Sequence, residues 1–175
     1  MDDVTVSNES GGPDPVVVNS GFESSAGWTE APSSAFPGTS FYRRTWGTAT
    51  PRSGDYAYAL GNQLYGWLKS DQIPVSPGAD YDLYTYLRGE IDPDDDHYGG
   101  WLVSARFYDS GGSEINRPNA AGGDGDDIST FWSKPGGTVT APEGAATMRV
   151  YLNSYMVSGW LGYDDVSLSG ASVTK

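Results

Sequence analysis

The stretch YDLYTYLRG, residues 81–89, sets how the rest of the chain reads. Successive side chains of a β-strand point to opposite faces of its sheet, so Tyr81, Leu83, Thr85 and Leu87 share one face and Asp82, Tyr84, Tyr86 and Arg88 the other. The first set is apolar enough to be core. The second places two aromatic rings beside an arginine, which is neither a core face nor an ordinary solvated one. Two later segments repeat the pattern. In WLVSARFY (101–108), Trp101, Val103, Ala105 and Phe107 alternate with Leu102, Ser104, Arg106 and Tyr108. In TMRVYLN (147–153), Met148, Val150 and Leu152 alternate with Arg149, Tyr151 and Asn153. Two sheets packed face to face would bury the first set of each strand between them and present the second set outward.

The remaining sequence agrees with such an architecture. The chain has 175 residues, enough for one domain with its own core, and its 24 glycines and 11 prolines punctuate short segments with no sustained helical period. PVVV (15–18), YAYALG (56–61), IPVS (73–76), GGTVTA (136–141) and YDDVSLSG (163–170) read as further strands between turn clusters. The fold expected is all-β, a jelly-roll β-sandwich of two antiparallel sheets. Residues 1–14 are polar and read as a linker or lead-in, residues 15–171 as the module and residues 172–175 as a tail. A net charge of −13 opposes nucleic acid and anionic membrane surfaces, which call for basic patches. Cysteine is absent, so no disulfide scaffold or thiol chemistry is available, and no apolar run reaches membrane-spanning length. The N-terminus lacks the charged-then-apolar order of a signal peptide.

Tyrosine, arginine and asparagine on an outward sheet face suit a sugar polymer. Pyranose C–H groups stack on aromatic faces, and hydroxyls need the flat donors and acceptors that Arg and Asn supply. Tyr84, Tyr86, Arg88, Arg106, Tyr108, Arg149, Tyr151 and Asn153 are therefore candidate ligand contacts, expected to line one groove. Arg88, Arg106 and Arg149 would also match the carboxylate of a uronate, so neutral and acidic glycans both fit. Of the six tryptophans, Trp28 and Trp101 are explained by packing, while Trp46, Trp132 and Trp160 fall near turns, where core and rim are both open.

Catalytic and metal signatures are weak. IDPDDDHYGG (91–100) offers Asp92, Asp94 and Asp96 at EF-hand spacing, but His97 stands where the loop needs glycine and no glutamate closes it. This loop and the acidic run 124–127 leave additional calcium sites open. His97 is the only histidine, which excludes a multi-histidine centre, and no Gly-x-Ser-x-Gly elbow accompanies it. No carboxylate pair of the kind a glycosidase needs stands on the expected sheet face.

In order along the chain, NSGFESSAGW (19–28), SGDYAYALG (53–61), SDQIPVSPGADYDLYTYLRG (70–89), FYDSGGSEI (107–115) and GYDDVSLS (162–169) resemble carbohydrate-binding modules of the family 4, 9, 16 and 22 type, which are galactose-binding-like jelly rolls. The resemblance implies a secreted, noncatalytic, monomeric module that binds a polysaccharide (xylan, β-glucan or mannan, to which the arginines add a uronate-containing glycan) in a concave groove, within a larger extracellular enzyme. It implies a structural Ca²⁺ held by Glu23, Asp164 and Asp165, with Asp55 or backbone carbonyls completing the shell. It also implies an aromatic platform at Trp67, just ahead of a strand. Two other functions stay open: a jelly-roll polysaccharide lyase using Tyr84, Tyr108 or Tyr151 beside the arginines, and an adhesion or phage receptor-binding domain.

Overall fold

A computed structural model of the chain describes residues 15–32, 40–44, 51–61, 66–91, 99–155 and 159–170. Within them the chain runs through β1 (Trp28–Pro32), β2 (Ser40–Arg44), β3 (Ala57–Gly61), β4 (Gly66–Ser70), β5 (Ile73–Pro74), β6 (Asp80–Ile91), β7 (Gly100–Tyr108), β8 (Glu114–Asn116), β9 (Asn119–Asp124), β10 (Gly136–Thr140), β11 (Thr147–Tyr155) and β12 (Gly159–Gly170). One sheet has the order β1-β4-β11-β7-β8, with β5 also pairing β11 and β9 also pairing β7. The other has the order β10-β6-β12-β3-β2, and every pairing in both sheets is antiparallel. This is the expected jelly-roll sandwich. Residues 1–14, 172–175, Trp46 and the loop 92–98 with His97 lie outside the described residues.

Alternation locates the core. Tyr81, Leu83, Thr85 and Leu87 of β6 are buried and meet Val103, Ala105 and Phe107 of β7 and Met148, Val150 and Leu152 of β11 in one apolar layer, joined by Leu161 and Tyr163 of β12. The buried Thr85 hydroxyl is satisfied by the Asp164 carbonyl at 3.0 Å. Tyr163, fully buried, donates its hydroxyl across the layer to the Asn153 carbonyl at 2.7 Å, tying β12 of one sheet to β11 of the other. Burial pushes that phenol up from its ordinary value, so it stays a donor at neutral pH. Trp101 belongs to this core and Trp28 packs against its margin, as packing predicts.

Three local expectations change. PVVV forms no strand: it leads into a turn, and Val16 and Val18 are 65 % and 50 % exposed, with Val17 alone reaching the core. A run of β-branched residues has high strand propensity, but here it finds no neighbouring strand with which to pair. Conversely, GWLKS, read as the approach to a strand, is β4 itself. The most consequential difference is that β6 belongs to one sheet and β7 and β11 to the other. Parity tells which side of a strand faces inward, and inward-facing residues look alike in both sheets.

Leu83 is fully buried on the inward face of β6. Leu83→Ala is expected to cost about 2–5 kcal/mol of stability through lost transfer energy and the cavity left behind, measurable by urea unfolding. An unchanged midpoint would place Leu83 outside the core.

Candidate functional site

The outward face of the larger sheet is built on three adjacent strands. In β4 the pattern Gly66, Trp67, Leu68, Lys69, Ser70 alternates buried and half-buried, so Trp67 and Lys69 point out. Across β11, Tyr151 pairs with Lys69 and Asn153 with Trp67. On its other side β11 pairs with β7, setting Asn153 beside Leu102, Tyr151 beside Ser104, Arg149 beside Arg106 and Thr147 beside Tyr108. Trp67, Lys69, Arg149, Tyr151, Asn153, Arg106 and Tyr108 therefore share one surface.

Side-chain contacts hold that surface in shape. The Arg106 guanidinium carbon lies 3.9 Å from the Tyr151 ring centroid and 5.6 Å from that of Trp67. Such cation–π stacking fixes the fork while leaving its edge able to donate. The Tyr108 and Tyr151 hydroxyls are 3.1 Å apart. Burial, and then the bond to Tyr151, push the Tyr108 phenol above its ordinary value. Arg106 also meets Glu114 at 3.4 Å, and Glu114 pairs more closely with Arg117 at 3.0 Å. Arg149 donates to the Ser70 carbonyl at 2.6 Å. Asn153 is only 7 % exposed; its Nδ2 donates to the Gly66 carbonyl at 2.8 Å, and its Oδ1 has no partner among the described residues. A buried, unpaired acceptor is costly, so it marks a place where a donor from outside would be welcome.

Tyr84, Tyr86 and Arg88 do not join this surface. They point outward from β6 on the opposite side of the sandwich, where Arg88 sits 5.5 Å from the Trp132 ring and 5.7 Å from the Trp160 ring. Lys134 lies 5.2 Å from Tyr84, and Arg52 lies 3.7 Å over Tyr86. The expected single groove is thus two faces, and one polymer segment cannot touch both. Sequence reading missed Lys69 and Glu114. Alternation within GWLKS carried the signal for Lys69; nothing local marked Glu114, which reaches Arg106 only because β8 folds back on β7.

The acidic residues expected to hold calcium lie at one end of the sandwich. Both Glu23 oxygens accept the Asp55 N–H at 3.1 Å, and Oε1 also accepts that of Tyr56. Asp164 Oδ2 accepts the Arg52 and Ser53 N–H groups at 2.8 and 3.3 Å, while its Oδ1 accepts the Asp165 N–H. Asp165 pairs with the Arg52 guanidinium at 2.6 Å and the Ser53 hydroxyl at 2.7 Å. The oxygen donors suit Ca²⁺ by type. Among the described residues, however, no three His, Cys, Asp or Glu side chains are placed to hold one ion, and Asp55 contributes its N–H. As arranged, these side chains meet N–H groups, a hydroxyl and a guanidinium in a hydrogen-bonded latch. In the acidic run 124–127, Asp127 likewise accepts the Asp124 N–H at 3.2 Å and closes its own turn.

No family model matches this sequence, and no curated protein matches it. Solved structures do. The C-terminal family 22 carbohydrate-binding module of Clostridium thermocellum Xyn10B superposes with a TM-score of 0.61 at 14 % identity over 89 % of this chain and 93 % of that one. The CBM22-1 xylan-binding domain of Paenibacillus barcinonensis Xyn10C gives 0.61 at 12 % identity, over 88 % and 93 %. The enzymatically active domain of bacteriophage CBA120 tailspike protein 4 gives 0.68 at 14 % identity, covering 90 % of this chain and 21 % of the tailspike, so the chain spans about a fifth of that protein's length. At these identities the likeness is one of fold: the chain has the jelly-roll architecture shared by carbohydrate-binding modules of families 4, 16 and 22.

Two measurements probe the latch. Burial, and then the neighbouring Asp165, push the Asp164 carboxyl up to about 6, against the pull of its N–H partners. A carboxyl raised from an unfolded value of about 3.9 favours folding while protonated, so its contribution is fully present below that pH and is lost as pH rises through 6. Wild-type stability is therefore expected to fall relative to Asp164→Asn as pH climbs from 4 to 7, read by thermal melts; parallel curves would refute the burial. Chelator is expected to leave the neutral-pH melting temperature unchanged. A calcium-dependent gain near 2.7 kcal/mol at ~100 times the dissociation constant would instead show that the latch rearranges to ligate the ion.

Proposed function

We propose that the chain is a noncatalytic carbohydrate-binding module that holds a polysaccharide along the outward face of its larger sheet, as part of a secreted, multidomain polypeptide. The observation that carries this reading is the convergence, on β4, β11 and β7, of the half-buried Trp67 and Tyr108, of Arg106 stacked on the buried Tyr151, and of the Asn153 oxygen, unpartnered among the described residues. Aromatic faces offer stacking platforms for pyranose rings, and fixed polar groups beside them give orientation. The similar structures are mostly carbohydrate-binding modules, which supports sugar binding in the same architecture.

A lyase has one specific feature in its favour, the paired tyrosines beside Arg106. The upward shift of the Tyr108 phenol weighs against it, since a tyrosine base must ionise near the working pH. Incubation with uronate polymers is expected to release no unsaturated product absorbing in the near ultraviolet.

Affinity electrophoresis across a polysaccharide panel, followed by calorimetry, tests the binding reading. Trp67→Ala is expected to weaken binding by about 2 kcal/mol, as loss of a hot-spot aromatic does, while melting like the wild type. Tyr86→Ala, on the opposite sheet, is expected to bind normally. The reverse result would move the groove to the β6 face.

A further inference from the structure

Resting on the groove reading above, we infer that its ligand is an acidic polysaccharide bearing sugar carboxylates, a uronate chain, selected by Lys69, Arg106 and Arg149. The first ground is a pairing that packing does not explain. Arg149 and Arg106 are direct cross-strand partners on one face of the sheet. Like charges set directly opposite in an antiparallel pair are unfavourable, and departures from local stability rules concentrate at functional sites. One row along, Lys69 pairs with Tyr151 and adds a third cation to the same patch.

The second ground is the lack of compensation. Lys69 is half-buried, with no hydrogen bond or ion pair to a described residue. Among the described residues, the only carboxylate paired with these three cations is that of Glu114, at 3.4 Å from Arg106, and Glu114 is shared with Arg117. In a chain of net charge −13, the described residues of this patch set Lys69, Arg106 and Arg149 against the one carboxylate of Glu114. Partly buried cations in excess of their counter-charges gain from an added anion, which a ligand carboxylate would supply.

The third ground is the donor inventory. A neutral sugar hydroxyl both donates and accepts, so a reader of neutral glycans needs acceptors as well as donors. Lys69, Arg106 and Arg149 only donate, and beside these three donors the unpartnered buried acceptors among the described residues of this face are the Asn153 amide oxygen and the Thr147 hydroxyl. A carboxylate only accepts, and the Arg106 guanidinium, 3.9 Å from the Tyr151 ring centroid, carries the planar fork that can meet it in bidentate fashion.

The test pairs each acidic polymer with its own carboxyl-reduced form. Polygalacturonate, alginate and glucuronoxylan oligosaccharides are titrated calorimetrically at ~0.15 M salt, where remote charges are screened, each beside the counterpart whose carboxylates have become primary alcohols. At least one acidic chain is expected to bind about tenfold or more tightly than its reduced form, in line with the strength of charge-assisted pairs. Arg106→Lys keeps the charge and loses the fork; Lys69→Gln, at a side chain with no partner to orphan, guards against misfolding. Both are expected to shrink that ratio by several-fold, with melting temperatures as in the wild type, whereas Trp67→Ala lowers the two affinities together. Equal binding of acidic and reduced chains, or equal binding of a sulfated dextran, overturns the carboxylate assignment while the groove stands. Absence of binding to every chain, acidic or neutral, overturns the groove reading and this inference with it.

Discussion

Met148, Val150 and Leu152 of β11 are completely buried, and their burial between the sheets is the constraint on which the candidate site depends. Because side chains alternate strictly, fixing these three inward fixes Arg149, Tyr151 and Asn153 outward; a one-residue slip would exchange the two sets. Burying each apolar side chain contributes roughly 1.5–3 kcal/mol, which makes the register expensive to change. The strand is held from both sides, by β4 and β7, and from across the core by the Tyr163 hydroxyl on the Asn153 carbonyl. Arg149, Tyr151 and Asn153 are thus carried on a strand anchored on both edges and across the core. Ligand-binding geometry gains from such rigid support, since a preorganised site loses less conformational freedom when it is filled.

A second point of concentrated constraint lies where the first loop meets the last strand. Asn19, Phe22 and Asp165 all adopt positive φ, at 53°, 58° and 43°. The conformation suits asparagine and aspartate, but for phenylalanine it is strained and persists only where the surroundings over-determine it. Here they do. The Phe22 ring is buried against Trp28 and Tyr58 with centroids 5.1 and 5.5 Å apart, and the Val166 N–H bonds the Ser20 carbonyl at 2.9 Å. The bulge in β12 between Asp164 and Ser167 aims both carboxylates at the 52–53 backbone and side chains. Gly54, at φ 61°, leaves room for Glu23: a Cβ there would collide with the Glu23 carboxylate. Closure of the sandwich at this end therefore relies on carboxylates meeting N–H groups and one arginine.

What the sequence disclosed follows from which of these constraints are local. Alternation in β6, β7 and β11 revealed the core face of each strand, because every inward residue obeys the same apolar rule. Assigning strands to sheets requires knowing long-range pairings, and YDLYTYLRG carries no trace of its neighbours β10 and β12. The outward residues of β6 consequently joined a groove they do not touch. Trp28–Pro32 escaped notice because a five-residue edge strand with a terminal proline reads like a loop. GWLKS kept its alternation, but its flanking glycine and serine looked like a turn, and Lys69 was lost with it.

The two sheet faces show how similar composition serves different ends. On the β6 side each cation is matched to an aromatic ring: Arg88 with Trp132 and Trp160, Lys134 with Tyr84, and Arg52 with Tyr86 and with Asp165. Arg88 Nε and Trp132 Nε1 are nevertheless buried there with no hydrogen-bond partner among the described residues. On the β11 side Arg106 is stacked, but it faces Arg149 across the strands and lies a row from Lys69. An acidic polymer approaching this face meets repulsion from the net charge of −13 as a whole and attraction from three cations at contact. At physiological ionic strength charges separated by more than about 8 Å are largely screened, while contacts of a few ångströms in a partly desolvated groove keep most of their strength. On the proposed reading the acidic body disfavours loose, non-specific association with polyanions, and a chain seated against Trp67 and the arginines recovers the attraction. Selectivity on such a surface is decided by fit at the groove floor and hardly at all by long-range steering.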